Sequence, residues 1–304
     1  MEKSPEFSVV IVGYNHGEYI HKAIQSVLNQ TFQDFEIIVF DDGSTDNTRK
    51  IVNNISDKRI KYFYQENSGL PARGRNEGIS LATGKYISLL DGDDFWYEKK
   101  LEKCKKALED NQDVDLICHN EAIIYGDRVL RHTYYGPFVN NMYFKLLFDG
   151  NCLHTSAVTI RRDIFFEDGF KFCEDKNLLT IEDYDYWLRL SRTYKFHFLP
   201  QVLGYYLVTE SGAFLRNAET SSLNMLSLLE SHFNKIENNS VKLQQRIRKR
   251  RSSVMCAAGR IYQHRREFKQ SQKWYLKAIK EYPLNYKASI CFLASTLNIK
   301  IVYR

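Results

Sequence analysis

A short apolar run leads into an acidic segment in Tyr86-Ile87-Ser88-Leu89-Leu90-Asp91-Gly92-Asp93-Asp94. Its first half is typical of a buried strand, and three carboxylates follow within four positions. Carboxylates so closely spaced repel one another unless a cation or solvent offsets their charge. A hard divalent ion suits such ligands, because Mg²⁺ and Mn²⁺ bind one or two carboxylates and complete their shell with water and phosphate oxygens. An exposed acidic turn before a helix cap is the alternative, and the preceding strand counts against it.

The sequence around this stretch alternates short apolar runs with helical patterns. The apolar runs cover residues 7–12, 35–40, 60–64 and 86–90, and apolar residues recur at helical spacing between the first two runs. This alternation is typical of β-α-β units around a mostly parallel sheet that is covered on both faces. The predicted fold class is therefore α/β.

Polar clusters follow three of the four apolar runs. Gly13-Tyr14-Asn15 follows the first, Asp41–Asp46 the second and Asp91–Asp94 the fourth. Ligands of open α/β sheets bind outside the carboxyl ends of the strands, so we expect the three clusters to converge on one rim. In the second cluster, an acidic turn that ends in Ser or Thr also caps the following helix, and a carboxylate there would equally accept from a base N–H or a ribose hydroxyl.

Two further segments add charged residues. Arg73 and Arg75 lie in a glycine-rich segment just after the third strand. Arginine pairs bidentately with phosphate oxygens, and a helix N-terminus adds a favourable dipole. Glu182 and Asp183 open an amphipathic helix, where acidic residues are common for dipole reasons alone. A carboxylate near a metal-bound diphosphate would also deprotonate an acceptor hydroxyl.

The length of the chain predicts more than one domain. A chain of 304 residues exceeds the usual single domain of roughly 100–200 residues, which predicts one large domain and an appendage.

The net charge of +6 favours anionic partners without choosing among them. Six cysteines fall singly, which indicates reduced thiols. The N-terminus lacks the apolar region of a signal peptide, and no stretch approaches the ~18 apolar residues of a membrane span, so we expect a cytoplasmic protein.

The C-terminal third is predicted to be helical throughout, with a boundary near Glu210–Leu215. The spacing of Gly259, Tyr262, Tyr275, Ala278 and Pro283 matches a tetratricopeptide hairpin, and an ordinary helical bundle is the alternative. The basic run that ends at Arg251 is either a solvated helix face or a contact for anionic lipid headgroups. It contains Arg246, Arg248, Lys249, Arg250 and Arg251. In the last helix, the stripe of Ile290, Leu293, Ala294 and Leu297 is predicted to be core.

In combination, these clusters resemble a family-2 glycosyltransferase of the GT-A fold, and the resemblance covers roughly residues 6–210. The segments that carry it are 7–15, 23–35 with Gln30-Thr31-Phe32, 41–46, Arg75-Asn76, 91–94 and Glu182-Asp183 before Trp187. The fold it implies is a Rossmann-like mixed sheet flanked by helices, with an all-α C-terminal region. The implied catalytic domain spans residues 1–212, of which 1–95 bind the nucleotide sugar and 96–212 shape the acceptor site, and the helical region spans 213–304.

The resemblance also implies roles for individual residues. Tyr14 and Asp42 would contact the nucleotide base, Asp91 the ribose and Asp93 the metal. Asp183 would be the general base, and Glu182 would support its geometry. The nucleotide-sugar-binding set is completed by Asn15, Arg73 and Arg75.

The implied activity is inverting transfer of a sugar from a nucleoside-diphosphate sugar to a hydroxyl of a glycan or lipid-linked glycan in surface-polysaccharide synthesis of bacteria. A UDP-sugar is the favoured donor and Mn²⁺ or Mg²⁺ the cofactor. A lipid-linked acceptor would bring the protein to the inner face of the membrane, and no nucleic-acid partner is expected. Two departures from the pattern are Val12-Gly13 where relatives carry Pro, and Tyr206-Leu207-Val208-Thr209 where relatives often show Tyr-Arg-x-His.

Other classes fit less well. A nucleotidyltransferase would need a Gly-rich, Lys-containing loop after the first strand, and a dinucleotide-dependent oxidoreductase would need G-x-G-x-x-G there. The chain has Gly13-Tyr14-Asn15-His16-Gly17 instead. The alternative from another class is a non-catalytic helical-repeat scaffold with a degenerate nucleotide-binding domain, against which the intact Asp91, Asp93 and Asp183 argue.

Overall fold

The computed structural model describes residues 4–126, 128–136, 139–167, 170–208, 218–237 and 240–300. The chain divides into two compact units. The first comprises residues 1–146, 151–176 and 182–209, and the second comprises 147–150, 177–181 and 210–304. The predicted boundary at 210–215 lies outside the described residues, and the functional division into 1–212 and 213–304 stays a prediction.

The first unit is built on one mixed sheet. Its described strands are β1 (Phe7–Gly13), β2 (Phe35–Asp41), β3 (Ile60–Tyr64), β4 (Tyr86–Asp91), β5 (Phe95–Trp96), β6 (Leu116–Tyr125), β7 (Arg128–Thr133), β8 (Val158–Arg161) and β9 (Phe196–Leu207). The order is β3-β2-β1-β4-β8-β6-β9-β5, with β7 paired to β6. The four predicted strands match β1 to β4 within one residue and are parallel. Antiparallel β8 and β5 make the whole sheet mixed rather than mostly parallel.

Helices cover the sheet of this unit. They are α1 (Ile20–Leu28), α2 (Thr48–Asn53), α3 (Pro71–Ser80), α4 (Lys100–Asp110), α5 (Met142–Asp149) and α6 (Glu182–Leu190). Every residue of β1 is buried, and apolar side chains from α1 and β2 pack in the same core cluster. Burying each such Val, Ile or Leu contributes about 1.5–3 kcal/mol, which explains why continuous apolar runs predict these strands.

Helix α3 approaches the sheet closely because it has glycines on the facing side. A Cβ at Gly74 would lie 2.8 Å from Val12, and one at Gly78 would lie 2.7 Å from Val10. Side chains at these positions would push the helix away from β1. The glycine spacing therefore fixes the position of Arg75, which lies between the two.

The described part of the second unit is helical. Its helices are α7 (Ala218–Phe233), α8 (Val241–His264), α9 (Phe268–Glu281) and α10 (Tyr286–Thr296). Gly259 of α8 lets the buried ring of Tyr275 approach, since a Cβ there would lie 2.6 Å from the ring. The Tyr275 hydroxyl donates to Gln263 at 2.6 Å. A tetratricopeptide-like character for this region stays a prediction.

The last helix differs from its prediction. Ile290, Leu293 and Leu297 are 62%, 62% and 72% exposed, so the prediction that this stripe is core was wrong. Helix α10 instead buries its opposite side, which includes Ala288 and Ser295. None of the described helices has the length and apolar character needed to cross a membrane.

Candidate active site

The carboxyl end of β4 carries the acidic segment. Gly92 follows the strand, and its N–H donates to the Val12 carbonyl of β1 at 2.9 Å. A Cβ at Gly92 would lie 2.6 Å from Nδ1 of His16, so any side chain at this position would displace the His16 ring. The segment does not begin a helix, because β5 follows at Phe95 and α4 begins only at Lys100.

Arg75 connects two carboxylates from distant parts of the chain. Its Nη1 donates to Glu182 at 2.6 Å, and its Nη2 donates to Asp91 at 3.0 Å. The side chains of Arg75 and Glu182 are each 8% exposed, and that of Asp91 is 25% exposed. Burial alone would raise the pKa of Asp91, but the guanidinium of Arg75 outweighs this and lowers it. The structure thus brings together Arg75, Asp91 and Glu182, which were all predicted site residues. Arg73 is exposed elsewhere on α3.

Asp183 lies beside this bridge at the start of α6. One carboxylate oxygen accepts from the Tyr184 N–H at 2.7 Å, and the other accepts from the Asn151 amide at 3.1 Å. Burial, together with the negative charge of Glu182, raises the pKa of Asp183 to about 6. A partly exposed carboxylate with such a pKa is ionised at neutral pH and still basic enough to accept a proton.

Asp94 is committed to the protein interior. It is 1% exposed, and its two oxygens accept from the Ser156 hydroxyl at 2.6 Å and the Leu207 N–H at 2.9 Å. Asp93 is only partly buried, and its pKa is raised by burial and by neighbouring Asp91, against the opposing effect of His16. Of the two adjacent carboxylates, Asp93 is therefore the one with oxygens open to a ligand.

His154 is a member of the site that the sequence analysis missed. Its Nδ1 lies 3.0 Å from Glu121 and 3.8 Å from Asp94, and the ring of Tyr206 stacks on it at 4.3 Å. Burial alone would lower the pKa of His154, but the carboxylates of Glu121, Asp94 and Asp91 raise it to about 10. Tyr206 thus packs against a histidine from another loop, at the place where relatives often carry Tyr-Arg-x-His.

A sequence signal for part of this cluster existed. His119-Asn120-Glu121 interrupts the otherwise apolar β6 and is fully enclosed. Buried charged residues are rarely found without partners, so Glu121 predicts a cationic neighbour. Nothing in the sequence indicates that the neighbour is His154.

The described residues also contain a geometric candidate for a metal site. One ligand atom each from Asp91, Asp94 and His154 lies within 4.8 Å of the others. Two carboxylates suit Mg²⁺ or Mn²⁺, whereas His154, whose pKa is raised to about 10, would have to lose its proton before it could act as a ligand. This group includes Asp94 and not Asp93, so the predicted role of Asp93 as the metal ligand stays a prediction.

The loops after β1 and β2 are tied together on the same rim. Asn15, in the left-handed region at φ 55°, accepts from the Thr45 N–H at 2.8 Å, and its own N–H donates to Ser44 at 2.8 Å. Tyr14 beside it is 46% exposed. An exposed aromatic ring held by a fixed loop offers a flat surface for stacking a base.

Asp42 is buried and takes part in the same rim. Its carboxylate accepts from the Ser68 N–H at 3.1 Å, from the Ser68 hydroxyl at 3.0 Å and from Gln65. These bonds fix the loop between β3 and α3. The contact of Asp42 with a nucleotide base stays a prediction, and these three bonds already occupy part of the acceptor capacity of its carboxylate.

The amino-acid sequence of the chain matches a known protein family and several known proteins. The family model described as glycosyl transferase family 2 matches residues 8–167. A glycosyltransferase of Methanocaldococcus jannaschii is 29% identical over 235 residues, which are 75% of this chain and 80% of that protein. The glycosyltransferase GlyG of Streptococcus pneumoniae is 39% identical over 115 residues, or 37% of this chain and 38% of that protein. The chain spans only 21–23% of the length of three Rickettsia glycosyltransferases that are 37–40% identical to it.

Solved structures share the fold at low identity. S. aureus TarS, residues 1–349 in complex with UDP-GlcNAc, aligns with a TM-score of 0.61 at 18% identity over 98% of this chain and 93% of that one. The mannosyltransferase PcManGT of Pyrobaculum calidifontis, in complex with GDP-Man and Mn²⁺, gives 0.58 at 14% identity over 97% and 81%.

A mixed sheet flanked by helices, with an acidic segment at the carboxyl end of β4, is the GT-A fold, as the resemblance implied. The chain belongs to glycosyl transferase family 2, whose model covers more than half of it.

Proposed function

We propose that this protein is an inverting glycosyltransferase that moves a sugar from a nucleoside-diphosphate sugar to a hydroxyl of a glycan or lipid-linked glycan. The observation that carries the proposal is the pairing of Arg75 with Asp91 and Glu182. Because Glu182 precedes Asp183 in the chain, this pairing keeps Asp183 close to the carboxyl ends of the strands, where ligands of such sheets bind. Asp183 is partly exposed, and its pKa is raised to about 6.

In the proposed reaction, the Asp183 carboxylate takes the proton from the acceptor hydroxyl. The acceptor oxygen forms a bond to the anomeric carbon while the bond from that carbon to the diphosphate oxygen breaks, and the electron pair leaves with the nucleoside diphosphate. A single displacement of this kind inverts the anomeric configuration and needs no covalent sugar–enzyme intermediate. General-base assistance contributes about 10²–10⁴-fold.

The donor side is assigned to the other rim residues. Tyr14 stacks on the base, supported by Asn15 and Asp42, and Asp91 meets the ribose. Arg73 is exposed and available to phosphate, whereas the terminal nitrogens of Arg75 already bind carboxylates. Arg75 therefore acts on the donor chiefly by holding Asp91 in place.

Mn²⁺ or Mg²⁺ is the proposed cofactor, and Asp93 would hold it, because its carboxylate is partly exposed whereas both oxygens of Asp94 already accept hydrogen bonds. When bound, the ion offsets the charge that develops on the departing diphosphate, a Lewis-acid effect worth several kcal/mol. A UDP-sugar is the favoured donor, because the solved TarS complex, which aligns over nearly the whole of this chain, contains UDP-GlcNAc. The proposed setting is the cytoplasm, in surface-polysaccharide synthesis.

Donor binding and turnover test this proposal directly. The protein is titrated with UDP-, GDP- and dTDP-sugars in the presence of Mn²⁺ by thermal shift, because a donor raises the stability with the logarithm of its concentration over its dissociation constant. Release of nucleoside diphosphate is then measured with and without Mn²⁺. We expect one nucleotide class to stabilise the protein and to support metal-dependent turnover.

Asp93→Ala is the informative variant, and Asp113→Ala is its matched control. Asp113 is an exposed aspartate whose only described partner is the surface residue Lys195, so its loss should change nothing. Absence of metal-dependent turnover with every sugar, together with wild-type behaviour of Asp93→Ala, would refute the proposal. That result would favour the non-catalytic scaffold instead.

A further inference from the structure

The last described helix presents an apolar stripe to solvent. Tyr286, Ile290, Leu293 and Leu297 recur at helical spacing on α10 and are 66%, 62%, 62% and 72% exposed. We call these four residues the α10 stripe. Single exposed apolar residues are normal, but a contiguous row of them marks an interaction surface.

The opposite side of α10 is already packed. Ala288 and Ser295 are fully buried, and Cys291 and Phe292 pack in a cluster with Tyr275. The helix is thus apolar on both sides, and only one side has a partner within the described residues. Within the described residues, the stripe therefore has no packing partner that explains its apolar character.

The surroundings of the stripe are strongly basic. From Val241 to Lys300 the chain contains fifteen Lys and Arg residues and two acidic residues, Glu267 and Glu281. Between Glu281 and Lys300 no acidic residue occurs, while Lys287 lies next to Tyr286 and Lys300 follows Leu297 by three positions. An anionic partner is therefore attracted to this region, and a second copy of the same basic surface is repelled.

Three arginines of the basic run 246–251, which is a candidate for lipid contact, bind other residues of the second unit. Arg251 pairs with Glu230 at 2.6 Å, and the Nε of Arg248 donates to the Glu281 carbonyl at 2.8 Å. Arg250 donates to the Leu147 carbonyl at 3.1 Å. These arginines hold helices together, so they do not form the free cationic surface.

Exposed lysines on α9 form that surface instead. Lys269, Lys273, Lys277 and Lys280 are all exposed on the helix that packs next to α10. Three of them, Lys273, Lys277 and Lys280, line a cavity of about 520 Å³ beside Trp274, in which Glu219 is the one acidic residue of the described lining. Helix α10 thus carries exposed apolar residues, and α9, which contacts it through Ser271 and Ser295, carries exposed cations. Exposed apolar and cationic residues together are typical of a protein surface that lies on an anionic lipid interface.

We propose that the α10 stripe docks on an anionic membrane surface, with its leucine and isoleucine side chains entering the boundary between headgroups and acyl chains. Tyr286, at one end of the stripe, is of the type that prefers the headgroup level. The lysines of α9 contact the negative headgroups. This docking does not depend on the glycosyltransferase activity, and it would bring the protein to the surface where lipid-linked acceptors are found.

Vesicle co-sedimentation of the full chain tests the proposal. The probes are vesicles of neutral phosphatidylcholine and vesicles with about one third phosphatidylglycerol. We expect binding to the anionic vesicles that weakens as salt rises. The variant Lys273→Gln/Lys277→Gln/Lys280→Gln should reduce the partition coefficient about 100-fold at low salt, since each lysine near such a surface contributes about fivefold.

The stripe itself is tested by Ile290→Ser/Leu293→Ser/Leu297→Ser. Each side chain loses about tenfold in partitioning, so binding should fall below detection. Leu130→Ser is the matched control, because Leu130 is 51% exposed on β7 of the first unit and belongs neither to the stripe nor to the lysines of α9. Circular dichroism verifies that each variant is folded.

Three outcomes would overturn the proposal. The first is no binding of the unmodified chain to anionic vesicles. The second is equal binding by the stripe variant and the Leu130→Ser control. The third is a dimer in sedimentation equilibrium that the stripe variant loses, which would assign the stripe to a second copy of the chain. Nucleotide-sugar turnover, measured in parallel, separates these results from the test of the proposed activity.

Discussion

The substitution Asp183→Asn separates the catalytic role of this carboxylate from its structural one. The side chain accepts two hydrogen bonds, from the Tyr184 N–H and from the Asn151 amide. An asparagine keeps the size and one acceptor oxygen but has no charge and cannot act as a base. We therefore expect turnover to fall by about 10²–10⁴-fold, while donor binding is retained.

The stability effect has the opposite sign. Burial and the charge of Glu182 raise the pKa of Asp183 to about 6 from an ordinary value of 3.8. The protonated side chain suits the fold, so stability is full below pH 3.8 and is lost as pH rises through 6. The shift corresponds to roughly 3 kcal/mol at pH 8, and screening of this partly exposed group reduces it to about 1–2 kcal/mol. Asp183→Asn should therefore be more stable than the unmodified protein by that amount at pH 8 and equally stable at pH 4.

Urea denaturation at both pH values and turnover as a function of pH measure the two effects. Turnover of the unmodified protein should fall below about pH 6 as the base becomes protonated. Asp185→Asn is the control, because Asp185 pairs with Arg189 at 2.8 Å on the same helix and is given no part in the chemistry. Full activity of Asp183→Asn would refute the assignment of the base. A loss of stability of this variant at pH 8 would contradict the raised pKa of Asp183.

Three further substitutions test other parts of the structure. Arg75→Met leaves two carboxylates without their cation and should lower the free energy of unfolding by about 3–5 kcal/mol, so a change under 1 kcal/mol in urea denaturation would contradict the bridge. Gly259→Ala places a methyl group 2.6 Å from the Tyr275 ring and should cost about 1–3 kcal/mol; an unchanged melting temperature argues against that packing. Burial lowers the pKa of Lys100 to about 8, so its stabilising neutral form is lost as pH falls through 8. Lys100→Met should therefore stabilise the protein by about 2–3 kcal/mol at pH 6 and by little above pH 10, as chemical denaturation at both pH values would show.

The strands of the first half could be predicted because their signal is local. Each of β1, β2 and β4 is buried on both faces, and this requires a continuous apolar run. The convergence of the acidic segment with Arg75 followed from the rule that ligands meet the carboxyl ends of strands. The pairing of Arg75 with Glu182 did not follow, because it joins residues 107 positions apart.

The rest of the site depends on contacts that leave no local pattern. His154 lies in a loop, and its raised pKa arises from carboxylates contributed by β6 and by the segment after β4. The prediction of which side of α10 is buried was wrong for a related reason. A stripe such as Ile290, Leu293 and Leu297 has the same spacing whether it faces a core or solvent, and only the packing of Ala288 and Ser295 decides which side is covered.

The bridge through Arg75 also has a consequence for synthesis of the chain. Arg75 and Asp91 leave the ribosome well before Glu182, which is 107 residues behind Arg75. At about 5–20 residues per second, this delay is about 5–20 s. During that interval the guanidinium of Arg75 has only one of its two carboxylate partners, and pausing between residues 91 and 182 would prolong this state.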